Sequence, residues 1–177
     1  MKIESTNFTT DDLRGFLNEL IEEVKLLYIE RLTALAKRLS SLRSMHEKID
    51  SMPISQEQVW NARETLAHIA VFTKFYGVVA HRMMRNEMDS LDLLSMIAKR
   101  DELGSLAARK KAEENFDEAL SNIQRTLEDI KTATPDQLRT SADFGNGVVL
   151  TAEDIIRLPY LAHLEMHIKQ LEQNLQV

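Results

Sequence analysis

Apolar residues recur at spacings of three and four along most of this 177-residue chain. That is the period of helices that bury one face. Leu13, Phe16, Leu17, Leu20, Ile21 and Val24 start the pattern behind Thr9–Asp12, where hydroxyls and acids suit a helix start. Leu27, Leu32, Leu35, Leu39 and Leu42 continue it. One long helix, or two in series, is predicted to end near Ile49, and Ser51–Met52–Pro53 breaks it. Asn61 then caps a second helix with Glu64 three residues on, a capping box. Leu66, Ile69, Phe72, Phe75, Tyr76 and Val79 make its apolar side as far as about Asn86. The connection from Glu87 to Gly104 is read as holding a short helix. Phe116, Leu120, Ile123, Leu127 and Ile130 define a third long helix from Leu106 to Lys131. Thr134–Pro135 marks a short turn or helix, and Ser141–Gly147 reads as a plain loop. Thr151 with Asp154 opens the last helix, whose core positions are Leu161, Leu164, Ile168, Leu171 and Leu175; Pro159 is placed to kink it.

Four long amphipathic segments predict an all-α fold, an antiparallel four-helix bundle with short extra helices in its connections, forming one domain over 1–177. With only 5 Gly and 3 Pro, tight turns are few, which agrees with that architecture. Composition mainly excludes. No cysteine is present, so disulfides, thiolate nucleophiles and Cys metal ligands are not available from this chain. The net charge is -6 and the basic residues are interspersed with acids, so neither nucleic acid nor an anionic membrane surface is an expected partner. No apolar run approaches the roughly 20 residues that span a bilayer. The start of the chain, Met1–Asp12, carries three acids and one lysine and does not resemble a secretory signal, so a cytoplasmic protein is expected.

Candidate chemistry sits in the histidines. His163 and His167 are four apart on the last helix, so both rings reach one point beside it, the geometry of paired His ligands in helical metal sites. His68 falls on the apolar side of the second helix, one turn before Phe72, where imidazole needs a partner. A shared divalent metal answers all three positions; separately satisfied histidines on a core face and a solvated face answer them too, and the pattern leaves both open. His46 and His81 fall on polar faces and are expected to be solvated. Glu64 is read as a cap, Glu165 as a solvated helix-face acid, Tyr160 as core and Trp60 as a hydrophobic staple at the start of the second helix.

The segment Trp60-Asn-Ala-Arg-Glu-Thr-Leu-Ala-His68-Ile-Ala resembles the Trp-Ser-x-x-Glu-x-x-x-His-Leu motif of the DinB/YfiT-like superfamily. His163-Leu-Glu-Met-His167-Ile-Lys-Gln-Leu resembles that family's closing helix, and the order of the motifs agrees. The resemblance runs from about Val24 to Glu172; Asn61 stands where the family has Ser, Pro159 is unusual, and the segment before Val24 has no evident counterpart. The resemblance implies a four-helix bundle with His68, His163 and His167 as ligands of a Zn²⁺ or Ni²⁺ ion, and homodimers. Members include thiol S-transferases and a thiol-dependent maleylpyruvate isomerase.

Three neutral imidazoles leave a coordination position open, the pattern of catalytic rather than structural zinc. Such an ion activates a water or a thiol. In a chain without cysteine, a thiolate must come from a low-molecular-weight cosubstrate. The expectation is therefore a metal-dependent transferase or hydrolase acting on a small molecule, with no general base identified. The competing expectation is a non-enzymatic stress-response or interaction protein with a vestigial site.

Overall fold

The structure, a computed structural model, describes residues 9–54 and 60–176. The start of the chain up to Phe8, judged above for a secretory signal, lies outside the described residues. The fold is mostly helical with one small sheet. Helix α1 (Thr10–Ser41) runs through a 3-10 turn (Leu42–Met45) into α2 (His46–Asp50), so the first pattern is two helices in series. Next come α3 (Ala62–Met84), α4 (Leu93–Ala107), α5 (Ala112–Thr132) and α6 (Pro135–Arg139). Strands β1 (Ser141–Asp143) and β2 (Val149–Thr151) precede α7 (Ala152–Ile155), a π-helical stretch (Ile156–Ala162) and α8 (His163–Leu175).

The helix starts follow from local chemistry. Thr9 and Asp12 form a reciprocal capping box at α1, Asn61 and Glu64 at α3, and Thr151 and Asp154 at α7. In each, the first residue's side chain accepts a backbone N–H and the acid accepts the cap's own N–H, satisfying two orphan donors. At α3, Asn61 Oδ1 accepts from Arg63 N at 2.9 Å, and Glu64 Oε2 accepts from Asn61 N at 3.1 Å.

The long helices pack pairwise: α3 lies against α5 and α8, and α1 against the same two. Leu32, Leu35 and Leu39 of α1, Leu66, Ile69 and Phe72 of α3, Phe116, Ile123 and Ile130 of α5, and Leu164, Ile168 and Leu171 of α8 are all buried between them. The apolar stripe of α1 extends further than the core. Leu13, Leu17, Leu20 and Leu27 are 40–49% exposed. At 1.5 Å per residue, the 32-residue α1 is about 13 Å longer than the 23-residue α3. That extra length takes in Leu13 and Leu17 of its first turns.

Two readings differ from the expectation and a third is sharpened. Leu106 belongs to the end of α4, and the third long helix starts only at Ala112, after a turn over Ala108–Lys111. The chain stops there because Ala112 N donates to Asp50 Oδ1 at 2.8 Å, while Glu113 and Glu114 supply the acidic first turn. The stretch Ser141–Gly147 is not a plain loop: Ser141–Asp143 pairs antiparallel with Val149–Thr151, Ala142 opposite Leu150. Gly145 and Gly147 take φ of +85° and +77°, left-handed values that let so short a connection close. Where Pro159 is placed to kink the last helix, the chain is irregular but unbroken. Proline removes an N–H and crowds the carbonyl four residues back, and the wider π-helical stretch accommodates it before α8 begins at His163.

Candidate metal centre

His68 lies in the second turn of α3, held inward by Leu66 and Ile69 on either side, both fully buried. His163 opens α8 and His167 follows one turn later. Because α3 and α8 pack together, the three rings meet. One ligand atom from each lies within 4.8 Å of the others, and His68 Nε2 is 3.4 Å from His163 Nε2. In a tetrahedral site with metal–nitrogen bonds of about 2.0–2.1 Å, neighbouring nitrogens sit about 3.3–3.4 Å apart. The His68–His163 spacing already matches that figure, and with the third ligand atom within 4.8 Å the donor set is compatible with one divalent ion. Two rings are buried and His163 is the member that meets solvent.

The electrostatics keep the rings neutral, the state that binds metal. Burial pushes His68 down to about 2, with help from His167, His163 and Arg100. Burial and the charges of His167 and Arg100 bring His163 down to about 4, against a hydrogen bond to the Pro159 carbonyl. His167 is also lowered by burial, opposed by Gln170, whose Oε1 lies 2.8 Å from His167 Nδ1. Proline thus contributes a carbonyl to the ring of His163, the residue that follows the π-helical stretch.

Aromatic rings wall the site. Phe72 stacks on His163 with centroids 4.6 Å apart and planes 14° apart. Trp60 is not simply a staple at the helix start: its ring lies 4.6 Å from that of His68 and 6.0 Å from that of His167. It can do so because Asn174 of α8 donates to the Trp60 carbonyl at 3.1 Å, tying the residue to the helix that carries two of the histidines.

The remaining candidates lie elsewhere. His46 Nδ1 is 3.1 Å from the Arg43 carbonyl, and His81 Nδ1 is 3.0 Å from Asp129 Oδ1. Neither joins the three-histidine group, although both have partners where solvation alone was expected. His81 lines a separate cavity of about 360 Å³ between α3 and α5, with Thr73, Gly77, Asn122 and Arg125. Glu165 faces outward and pairs with Arg31 at 2.5 Å. Tyr160 is fully buried core.

Three residues at the site escaped the sequence reading. Gln170 carried a usable signal, three residues after His167 on the same helix. Tyr76 was visible only as one more apolar position. Arg100 carried none, since nothing in the sequence places α4 over α3. Its Nη1 donates to the Tyr76 hydroxyl at 3.4 Å, and the Tyr76 ring is 6.4 Å from that of His163.

Among known proteins, a family model described as the DinB superfamily matches residues 8–171. The match takes in the segment before Val24 that had no evident counterpart. No curated protein matches the chain, and no solved structure does.

Proposed function

The chain belongs to the DinB superfamily, and on that premise we propose that it is a metal-dependent enzyme acting on a small molecule at His68, His163 and His167. Its reaction is transfer of a low-molecular-weight thiol or hydrolysis. The observation that carries this reading is the convergence of three imidazoles, one ligand atom from each within 4.8 Å of the others, with two of the residues buried. The four long helices are taken as the antiparallel four-helix bundle on which that convergence depends.

His68, His163 and His167 would hold Zn²⁺ or Ni²⁺, both of which suit imidazole. When bound, the ion supplies Lewis acidity that lowers the pKa of a water or thiol. The protein's own share is positional. Gln170 and the Pro159 carbonyl orient His167 and His163 through hydrogen bonds to their rings. Phe72 and Trp60 limit water around the rings, and Tyr76 closes the side towards α4. With no cysteine in the chain, the nucleophile of a thiol transfer is a cosubstrate.

Elemental analysis of untagged protein tests this reading. One divalent ion per chain is expected, and His68→Ala is expected to remove it. Protein that carries no metal and takes up none at micromolar Zn²⁺ or Ni²⁺ overturns it. That result would favour the alternative, a non-enzymatic helical protein whose histidines are satisfied by Gln170, Pro159 and one another.

A further inference from the structure

We propose that Arg100 and Tyr76 form an anion-recognition end to the histidine site, so that the substrate carries a carboxylate beside the group that reacts. The proposal rests on the three-histidine reading and adds the chemical class of substrate.

Arg100 is oddly placed for a surface cation. It sits on α4, which packs on α3, and its side chain is only 14% exposed. Nε and Nη2 both donate to a single oxygen, Asp101 Oδ1, at 3.0 and 2.8 Å. Nη1 makes only the long contact to the Tyr76 hydroxyl, at 3.4 Å. A guanidinium has five N–H groups in a fixed fork. Three have partners, and among the described residues the other two have none. The Tyr76 hydroxyl is an acceptor in its contact with Arg100, which leaves its own proton to give. These donors belong to residues that are mostly buried, Tyr76 at 7% exposure.

The charge balance points the same way. The group that would hold the ion is three histidines with no carboxylate in it. A dication there, with a guanidinium nearby, leaves the site strongly positive. Asp101 offsets little of this, because its side chain is 56% exposed and its charge is screened by water. Arg100 is joined to the centre through Tyr76, whose hydroxyl it contacts at 3.4 Å and whose ring lies 6.4 Å from that of His163. An anion between guanidinium and metal relieves the imbalance. Arg forks and carboxylates match in shape. The aromatic walls of Trp60 and Phe72 make an aromatic carboxylate a suitable probe.

The test uses full-length protein loaded with Co²⁺, whose visible spectrum reports on its ligands. Benzoate and its neutral analogue benzamide are titrated into unmodified protein and into R100M, R100K and Y76F. R100M is expected to weaken benzoate binding about tenfold or more, the usual worth of a charged hydrogen bond, while Co²⁺ binds at least as tightly, because a neighbouring cation is gone, and benzamide binding changes far less than benzoate binding. R100K keeps the charge but loses the fork and should fall in between, and Y76F should lose less than R100M. Circular dichroism checks that each variant is folded, and R100K decides if R100M is not. Benzoate binding that is unchanged in the folded Arg100 variants overturns the proposal. If Co²⁺ does not bind at the histidines, the metal reading fails separately. Calorimetric titration of metal-free protein with benzoate then decides for Arg100: binding lost in R100M sustains the anion site, and absent or Arg100-independent binding overturns it.

Discussion

His167 Nδ1 and Gln170 Oε1 lie 2.8 Å apart on neighbouring turns of α8. The amide oxygen accepts the Nδ1 proton, which puts the ring's lone pair on Nε2 and sets its orientation before any ion arrives. Removing such a partner weakens metal binding about 10–100-fold. Gln170→Leu is therefore expected to lower Zn²⁺ affinity by that factor with the fold intact, as measured by competition with a chromophoric chelator. Gln170→Glu, which offers a stronger acceptor, should hold the ion at least as tightly as the unmodified chain. Equal affinity in all three proteins would show that Gln170 does not orient the ring.

The lowered histidines give the protein a pH dependence of definite sign. Above the ordinary imidazole pKa of about 6.5, folded and unfolded chains both carry neutral rings, and the group contributes no pH dependence. As the pH falls below it, the unfolded chain takes up protons that the folded one refuses until about 4 at His163 and about 2 at His68. The unfolded state binds more protons across that window, so stability falls with falling pH. Denaturant titrations of metal-free protein at pH 7, 5.5 and 4.5 should show a progressive loss. The loss should largely disappear in the triple variant His68→Phe/His163→Phe/His167→Phe if that variant folds, and otherwise in the single variant His68→Phe in part. For the same reason Zn²⁺ affinity should stay flat to lower pH than it does for free imidazole.

Trp60 is the single tryptophan of the chain, and its ring lies 4.6 Å from that of His68. Its emission is thus placed to report occupancy of the site. Ni²⁺, a paramagnetic ion, is expected to quench the fluorescence stoichiometrically. His68→Ala and His167→Ala should abolish the saturable quenching. Quenching that persists in both variants would place the bound ion elsewhere.

Much of the helical content was legible in advance because its causes are local. The caps at Asn61, Thr134 and Thr151 are short-range chemistry, and each starts a helix as the sequence reading expected. The stripe on α8 gave its buried face, Leu164, Ile168 and Leu171, for the same reason. The hairpin at Ser141–Thr151 was missed because three-residue strands carry too little alternation to register. The Gly-Asn-Gly of its turn was the available clue. The break before α5 depends on Asp50, 62 residues away in sequence from the amide it caps, and no local rule reaches that far. The site divides along the same line. Helical phase put His163 and His167 together and turned His68 inward. The approach of Trp60 and Arg100 is set by how α8 and α4 dock on α3, which periodicity does not encode.

Gly77 tests that docking from the other side of α3. A Cβ built there would lie 2.6 Å from Thr126 Oγ1 and 3.5 Å from Tyr160 Cε2. Thr126 and Tyr160 are both buried, so neither can swing into solvent. Two effects of Gly77→Ala oppose each other. Alanine favours a helix interior over glycine by about 1 kcal/mol. Forcing an extra carbon into a packed core costs about 1–3 kcal/mol. At 2.6 Å the contact is closer than any unstrained packing allows, so the steric effect should win and Gly77→Ala should destabilise, by up to about 2 kcal/mol. Thr126→Ala removes the blocking oxygen. In the double variant Gly77→Ala/Thr126→Ala the helix preference survives without the clash, so it should be more stable than the sum of the single changes requires, by about 1 kcal/mol or more. Urea denaturation of the four proteins measures the coupling. Additive effects would mean that α5 and the π-helical stretch do not meet α3 at Gly77 as closely as a 2.6 Å contact requires.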